Sequence, residues 1–213
     1  MVTLKRKGKV PPKLKAYNKE YHQKIDNIND ISKQNEIMKQ FWGKNIQVRK
    51  ELVNEFEKIN DSRCSFCTQI IPDFMKSMEV EHIELKSHEP KKALEWSNML
   101  CSCSTCNRKR SIKKYESIKY IDPTIERRVE RYFEFLVTGE IQHKKGLSTS
   151  DKAKADYMIK LYDLNDKDRI YKRMEFIQDI QDKDTFRFFK KHSKYARFLD
   201  VWKYYEGRKP YGK

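Results

Sequence analysis

The most regular apolar pattern in the chain is a helical stripe ahead of residue 60. Spacings of four, four and three residues separate its members, which are Val48, Leu52, Phe56 and Ile59. This spacing predicts a helix of about three turns with one buried face, and Ile46 and Val53 would widen that face on one side. Upstream, "INDIS" (28–32) interrupts a mostly helical pattern that begins near Leu14 and supplies new capping residues.

The pattern changes after residue 60, where short β-like runs replace the helical period. "QIIPDF" (69–74) and "MEVEHIELK" (78–86) predict two strands, and "EPKKALEW" (89–96) predicts one or two helical turns after Pro90. Further on, "RYFEFLVTGEIQHKK" (131–145) carries a Thr-Gly pair that suits a hairpin, although a helix is an alternative.

From Ser150 onward the chain is again helical in pattern. Tyr157, Met158 and Leu161 share one face, and residues 184–205 predict a long helix rich in aromatic side chains. We therefore predict a mainly α protein with a small α+β element. Its expected regions are a basic arm with N-terminal helices (1–60), a cysteine-rich finger (61–115) and a mainly helical C-terminal region (116–213).

Charge indicates the class of partner. The 213 residues include 47 Lys and Arg against 31 Asp and Glu, a formal net charge of +16. Such an excess is typical of proteins that bind polyanions, because neutralising phosphates releases condensed counterions. The sequence contains no long apolar run and no strongly amphipathic basic helix, the two features that would favour a membrane partner. The N-terminal lysines precede no apolar segment, so we expect no secretory signal and a cytoplasmic protein.

Cysteine spacing predicts a metal centre. Cys64-x-x-Cys67 and Cys103-x-x-Cys106 form two pairs with the spacing of a tetrahedral structural zinc site, in a chain that we expect to lack an export signal. The alternative is a set of buried or free thiols. The fifth cysteine, Cys101, is poorly spaced for either pair, and we interpret it as a packing residue.

The segments "VEHIELKS" (80–87) and "WSNMLCSCSTCNRKR" (96–110) resemble the HNH nucleases with a ββα-metal motif. The first lies between the two cysteine pairs, and the second contains the Cys103–Cys106 pair. The resemblance implies that His82 is the general base, a role that suits an imidazole. It also implies that Glu81 and Asn107 hold a catalytic divalent cation, Mg²⁺ or Mn²⁺. Asn98 would orient the imidazole or brace the connecting loop. Glu81 departs from the commoner Asp and is one methylene longer.

Simpler roles exist for two of these residues, because Asn107 suits a helix cap and Asn98 an ordinary loop. Glu79 and Glu84, beside the motif, are expected to face solvent. Basic residues surround the predicted site, and we interpret them as phosphate contacts rather than a solvated helix face. They are Lys86, Arg108, Lys109, Arg110, Lys113 and Lys114.

Short elements outside the finger resemble the HNH component of Septu-type or retron-associated anti-phage systems, the PtuB family. They are "VPPKL", "IDP", "TGEI" and "LYDLN" followed by Arg169. The last departs from the family pattern by one extra residue between its leucines. The resemblance implies an ABC-type, PtuA-like ATPase partner, and this chain has no phosphate-binding P-loop of its own. Aromatic residues of the C-terminal third would form either a docking surface or this region's own core. They are Phe186, Phe189, Tyr195, Phe198 and Trp202.

The sequence thus predicts a metal-dependent nuclease, with DNA as the default substrate and RNA as an open alternative. Two other hypotheses stand beside it. One is a stand-alone, restriction-like HNH nuclease without an ATPase. The other is a non-catalytic zinc-finger module that only binds nucleic acid, which would have no need for Glu81, His82 and Asn107 together.

Overall fold

The computed structural model describes residues 4, 10–109, 116–126, 128–179, 182, 184 and 187. Three predicted phosphate contacts (Arg110, Lys113 and Lys114) and the five aromatic residues of the C-terminal third lie outside these ranges. The described helices are α1 (Pro12–Ile25), α2 (Ile31–Phe41), α3 (Ile46–Asn60), α4 (Phe74–Ser77), α5 (Ser104–Lys109), α6 (Thr149–Leu161) and α7 (Lys167–Asp179). The strands are β1 (Glu79–His82), β2 (Met99–Ser102), β3 (Phe133–Phe135) and β4 (Ile141–His143).

The chain divides into two compact units. One, here called the finger unit, contains Lys5–Cys64 and Ile70–Asn107, and the other, the C-terminal unit, contains Met1–Leu4, Ser65–Gln69 and Arg108–Lys213. Both strand pairs are antiparallel and two-stranded, β1 with β2 and β3 with β4. The predicted class, mainly α with a small α+β element, is confirmed. No helix in the described ranges is both long and apolar enough to cross a bilayer.

Three helices open the finger unit, and α1 packs against α2 and α3. The break at "INDIS" is confirmed, because α2 begins after Asp30, whose carboxylate accepts hydrogen bonds from the Ser32 and Lys33 amides. The apolar face of α3 is also confirmed, with Val48, Leu52, Val53, Phe56 and Ile59 all buried. Ile46 is the exception at 68% exposed. It is the first residue of α3, where the stripe has not yet reached the core.

Only one of the two predicted strands between the cysteine pairs forms. β1 pairs with β2, so that Glu81 lies opposite Leu100 and His82 opposite Met99. The "QIIPDF" prediction was wrong, because Ile70 makes a single bridge with Arg63 and Phe74 begins the short helix α4. Pro72 has no amide hydrogen to continue a ladder. The helical turns after Pro90 are confirmed as 3₁₀ segments at Pro90–Lys92 and Trp96–Asn98.

The N-terminal helices hold the loop between β1 and β2 (83–98). The Tyr21 hydroxyl donates to the Pro90 carbonyl at 2.6 Å, and the Asn35 amide donates to the Ser87 carbonyl at 3.1 Å. The Phe56 and Trp96 rings pack with their centroids 4.9 Å apart. The loop is therefore fixed from α1, α2 and α3, although it contains little regular structure of its own.

The C-terminal unit is built on the β3–β4 hairpin and on α6 and α7. The hairpin prediction is confirmed, and α6 packs against β4 through a face that includes buried Met158 and Leu161. Gly139 in the turn has φ +81°, and a side-chain carbon there would lie 2.5 Å from the Ile170 carbonyl oxygen. The turn therefore requires glycine for both its conformation and its close contact.

Candidate active site and metal centre

The two cysteine pairs converge on a single cluster. Their sulfur atoms all lie within 4.8 Å of one another, and Cys64, Cys67 and Cys106 are buried. Zinc–sulfur bonds of about 2.3 Å place tetrahedral sulfurs about 3.8 Å apart, so a small contraction of the cluster suits zinc. The Cys106 amide also donates to Cys103 Sγ at 3.4 Å, which orients that sulfur. Four thiolates leave no open position for water, so this donor set fits a structural zinc.

Cys101, in β2, is not a member of this four-cysteine cluster. Its thiol donates to the Arg63 carbonyl at 3.5 Å, and burial raises its pKa well above the usual value. A protonated, buried thiol is a packing residue, and this agrees with the spacing argument.

His82 ends β1 with its ring buried and its tautomer fixed. The side chain is 3% exposed, and Nε2 lies 3.0 Å from the Ala93 carbonyl oxygen in the loop. Because a carbonyl only accepts, Nε2 is the donor, and the neutral ring carries its basic lone pair on Nδ1. Such a backbone contact is the usual means of setting which nitrogen performs chemistry.

Oxygen-bearing side chains converge on one face of β1. Glu79 and Glu81 are two residues apart on the strand and so share a face. The Asn107 amide, on α5, donates to the Glu79 carboxylate. Glu81 is 6% exposed, and its Oε1 accepts from the His82 amide at 2.9 Å. The expectation that Glu79 faces solvent was wrong, because it is half-buried and bonded to Asn107. These carboxylate and amide oxygens are the ligand types that Mg²⁺ and Mn²⁺ prefer.

Asn98 fastens the two ends of the β1–β2 loop. Its Oδ1 accepts from the Glu84 amide at 2.7 Å, and its Nδ2 donates to the Glu84 and Lys92 carbonyls at 3.0 and 3.1 Å. Lys92 precedes Ala93, the partner of His82. The contacts of Asn98 therefore correspond to the loop-bracing role. They affect the imidazole only indirectly, by holding the backbone next to Ala93, whose carbonyl contacts His82. Glu84 itself pairs with Lys92 at 2.7 Å, with 42% of its side chain exposed.

Trp42, between α2 and α3, was missed by the sequence analysis. Its ring centroid lies 4.6 Å from that of His82 in an edge-to-face arrangement, and Lys86 Nζ lies 4.9 Å from the Trp42 centroid. Burial lowers the pKa of Lys86, and the Glu81 charge opposes that effect. The aromatic wall beside the imidazole therefore comes from the N-terminal helices, and no local pattern around Trp42 signals it. The position of Glu79 could have been predicted, because it lies two residues before Glu81 and therefore on the same face of the strand.

The described basic residues of α5 differ in their surroundings. Arg108 and Lys109 are both exposed. Lys109 Nζ forms an ion pair with Asp163 at 2.7 Å, and that hydrogen bond raises the pKa of Lys109. A phosphate group would therefore compete with Asp163 for Lys109, whereas Arg108 forms no ion pair within the described part of the chain.

Comparison with known proteins assigns this arrangement to a class. Residues 64–113 match the HNH endonuclease family model, so the chain carries an HNH endonuclease domain that includes both cysteine pairs. Over 69 residues the chain is 30% identical to the Septu protein PtuB of Bacillus thuringiensis. That alignment covers 32% of this chain and 27% of the relative, so the similarity spans about a quarter of the relative's length.

Proposed function

We propose that this protein is a metal-dependent HNH nuclease that hydrolyses phosphodiester bonds of nucleic acid. The observation that carries the proposal is the fixed tautomer of His82. Its Nε2 is held by the Ala93 carbonyl within an HNH endonuclease domain, beside a strand face that bears Glu79 and Glu81. A zinc-finger module that only binds nucleic acid gives no reason for a buried base next to carboxylates.

In the proposed mechanism, His82 Nδ1 accepts a proton from the attacking water while Nε2 stays bonded to Ala93. Trp42 and the β1–β2 loop hold the ring in place. Glu81 and Asn107 would hold the catalytic cation, and Glu79 would orient the Asn107 amide. Mg²⁺ or Mn²⁺ bound there would stabilise the charge that develops on the phosphate and on the leaving oxygen.

The substrate and biological setting are also proposals. DNA as substrate is supported by the family resemblance and by the net charge of +16, which suits RNA as well. Similarity to a Septu protein supports a role in anti-phage defence. The same resemblance supports an ABC-type ATPase partner that would control cleavage.

Cleavage of supercoiled plasmid and of total cellular RNA tests the activity, with Mg²⁺ or Mn²⁺ and with or without an added PtuA-like ATPase. His82→Ala should abolish product formation, since loss of a general base costs roughly 10²–10⁴-fold. His88→Ala is the matched control, because His88 is an exposed histidine of the same loop. Equal cleavage by wild type and His82→Ala would refute the mechanism. Dependence on the added ATPase would separate the Septu hypothesis from a stand-alone nuclease.

A further inference from the structure

A pocket of about 230 Å³ opens beside the proposed cation ligands, within the finger unit. Its buried floor is apolar and comes mainly from α2 and α3, through Phe41, Val48 and Leu52. Its volume lies below the roughly 300–1,000 Å³ of pockets that take drug-sized ligands. The pocket therefore suits one planar group rather than a large cofactor.

The walls of the pocket combine aromatic rings with positive charge. Tyr17 and Trp42 are half-buried and line it, as do the side chains of Lys86 and exposed Arg49. Lys86 Nζ lies over the Trp42 ring at 4.9 Å. Bases of unpaired nucleic acid stack on such rings while cationic side chains follow the backbone phosphates.

The pocket is continuous with the proposed reaction centre. Glu79 and Asn107, which are hydrogen-bonded to each other, form part of its lining. Trp42, which also lines the pocket, packs against His82. A strand whose scissile phosphate lies at these residues must place a neighbouring nucleotide at the mouth of the pocket. An apolar pocket with a cationic rim at that position fits a base and the phosphates that flank it.

We propose that this pocket binds one unpaired nucleobase of the substrate strand, next to the scissile phosphate. The proposal rests on the proposed nuclease function and extends it, because it assigns a base-binding subsite to the N-terminal helices. Stacking on aromatic side chains tolerates any base, so the subsite selects unpaired over paired nucleotides more strongly than it selects a sequence.

The test measures binding rather than cleavage. His82→Ala protein in buffer without Mg²⁺ is titrated with a labelled single-stranded 12-nucleotide DNA. A second titration uses the same strand with every base replaced by an abasic residue. The readout is the ratio of the two dissociation constants, because loss of a phosphate contact changes both affinities alike. Stacking of one base predicts a ratio of roughly 5 to 150.

Adding Trp42→Ala or Tyr17→Leu should bring the ratio close to one. Trp96→Ala is the matched control, since Trp96 is a half-buried tryptophan of the same unit that packs on Phe56 outside the pocket. Zinc content and circular dichroism verify folding, and Tyr17→Leu gives the result if Trp42→Ala does not fold. A ratio near one before any pocket substitution, or an unchanged ratio in both pocket variants, would overturn the subsite while leaving the nuclease intact. Failure of the protein to bind either strand would remove the nucleic-acid substrate as well.

Discussion

Replacing Asn98 with alanine tests how the loop supports the imidazole. The side chain is 5% exposed and makes three hydrogen bonds to the backbone, two with Glu84 and one with Lys92. At about 0.5–1.5 kcal/mol for each bond, Asn98→Ala should lower the free energy of unfolding by about 1.5–4.5 kcal/mol. The zinc cluster lies on other residues, so its stoichiometry should not change.

Urea unfolding followed by circular dichroism measures this loss, at saturating zinc. Ser97→Ala is the matched control, because Ser97 is exposed and its hydroxyl makes only a long contact of 3.5 Å with Glu95. Cleavage by Asn98→Ala should fall because Ala93 no longer holds His82, whereas the pH dependence of the remaining activity should keep its shape. A stability equal to that of Ser97→Ala would refute the bracing argument. A displaced pH profile would instead show a direct contact with the imidazole.

Three further predictions concern the metal sites and one charge. Cys106→Ser should lose its zinc and the folded finger, whereas His82→Ala should keep both. Metal analysis and circular dichroism measure zinc content and folding. A full complement of zinc in Cys106→Ser would contradict the four-cysteine site. Glu79→Gln should weaken Mg²⁺ binding about 10- to 100-fold by loosening Asn107, measured by calorimetry, and an unchanged affinity would oppose that role. Because the pKa of Lys86 is lowered in the folded protein, the unfolded chain binds more protons than the folded chain as the pH approaches 10.5 from below. The unfolding free energy of wild type should therefore rise relative to Lys86→Met as the pH approaches 10.5, and a constant difference would be inconsistent with the shift.

The sequence predicts the finger well because its chemistry is local. Cysteine pairs at fixed spacing can form a compact cluster only in a few ways, and the motif places His82 directly after Glu81 in a strand. β2 was missed since all four of its residues are buried, which removes the alternation that marks a half-exposed strand. Trp42 was missed for a different reason. Its contact with His82 depends on how α2 and α3 pack, and no residue near it in sequence carries that information.

The segments "TGEI" and "LYDLN" and the residue Arg169, which lie outside the finger, make structural contacts within the C-terminal unit. Asn165 exchanges two hydrogen bonds with the Ile141 backbone, both at 2.8 Å, and Arg169 donates to the carbonyls of Tyr162 and Asp163.

These contacts fasten the "TGEI" turn and the "LYDLN" segment inside the C-terminal unit. Substituting Asn165 should therefore lower the stability of that unit, because two backbone groups of β4 would lose their partners. Urea unfolding of Asn165→Ala beside wild type measures this loss, and an unchanged free energy of unfolding would contradict the bracing role.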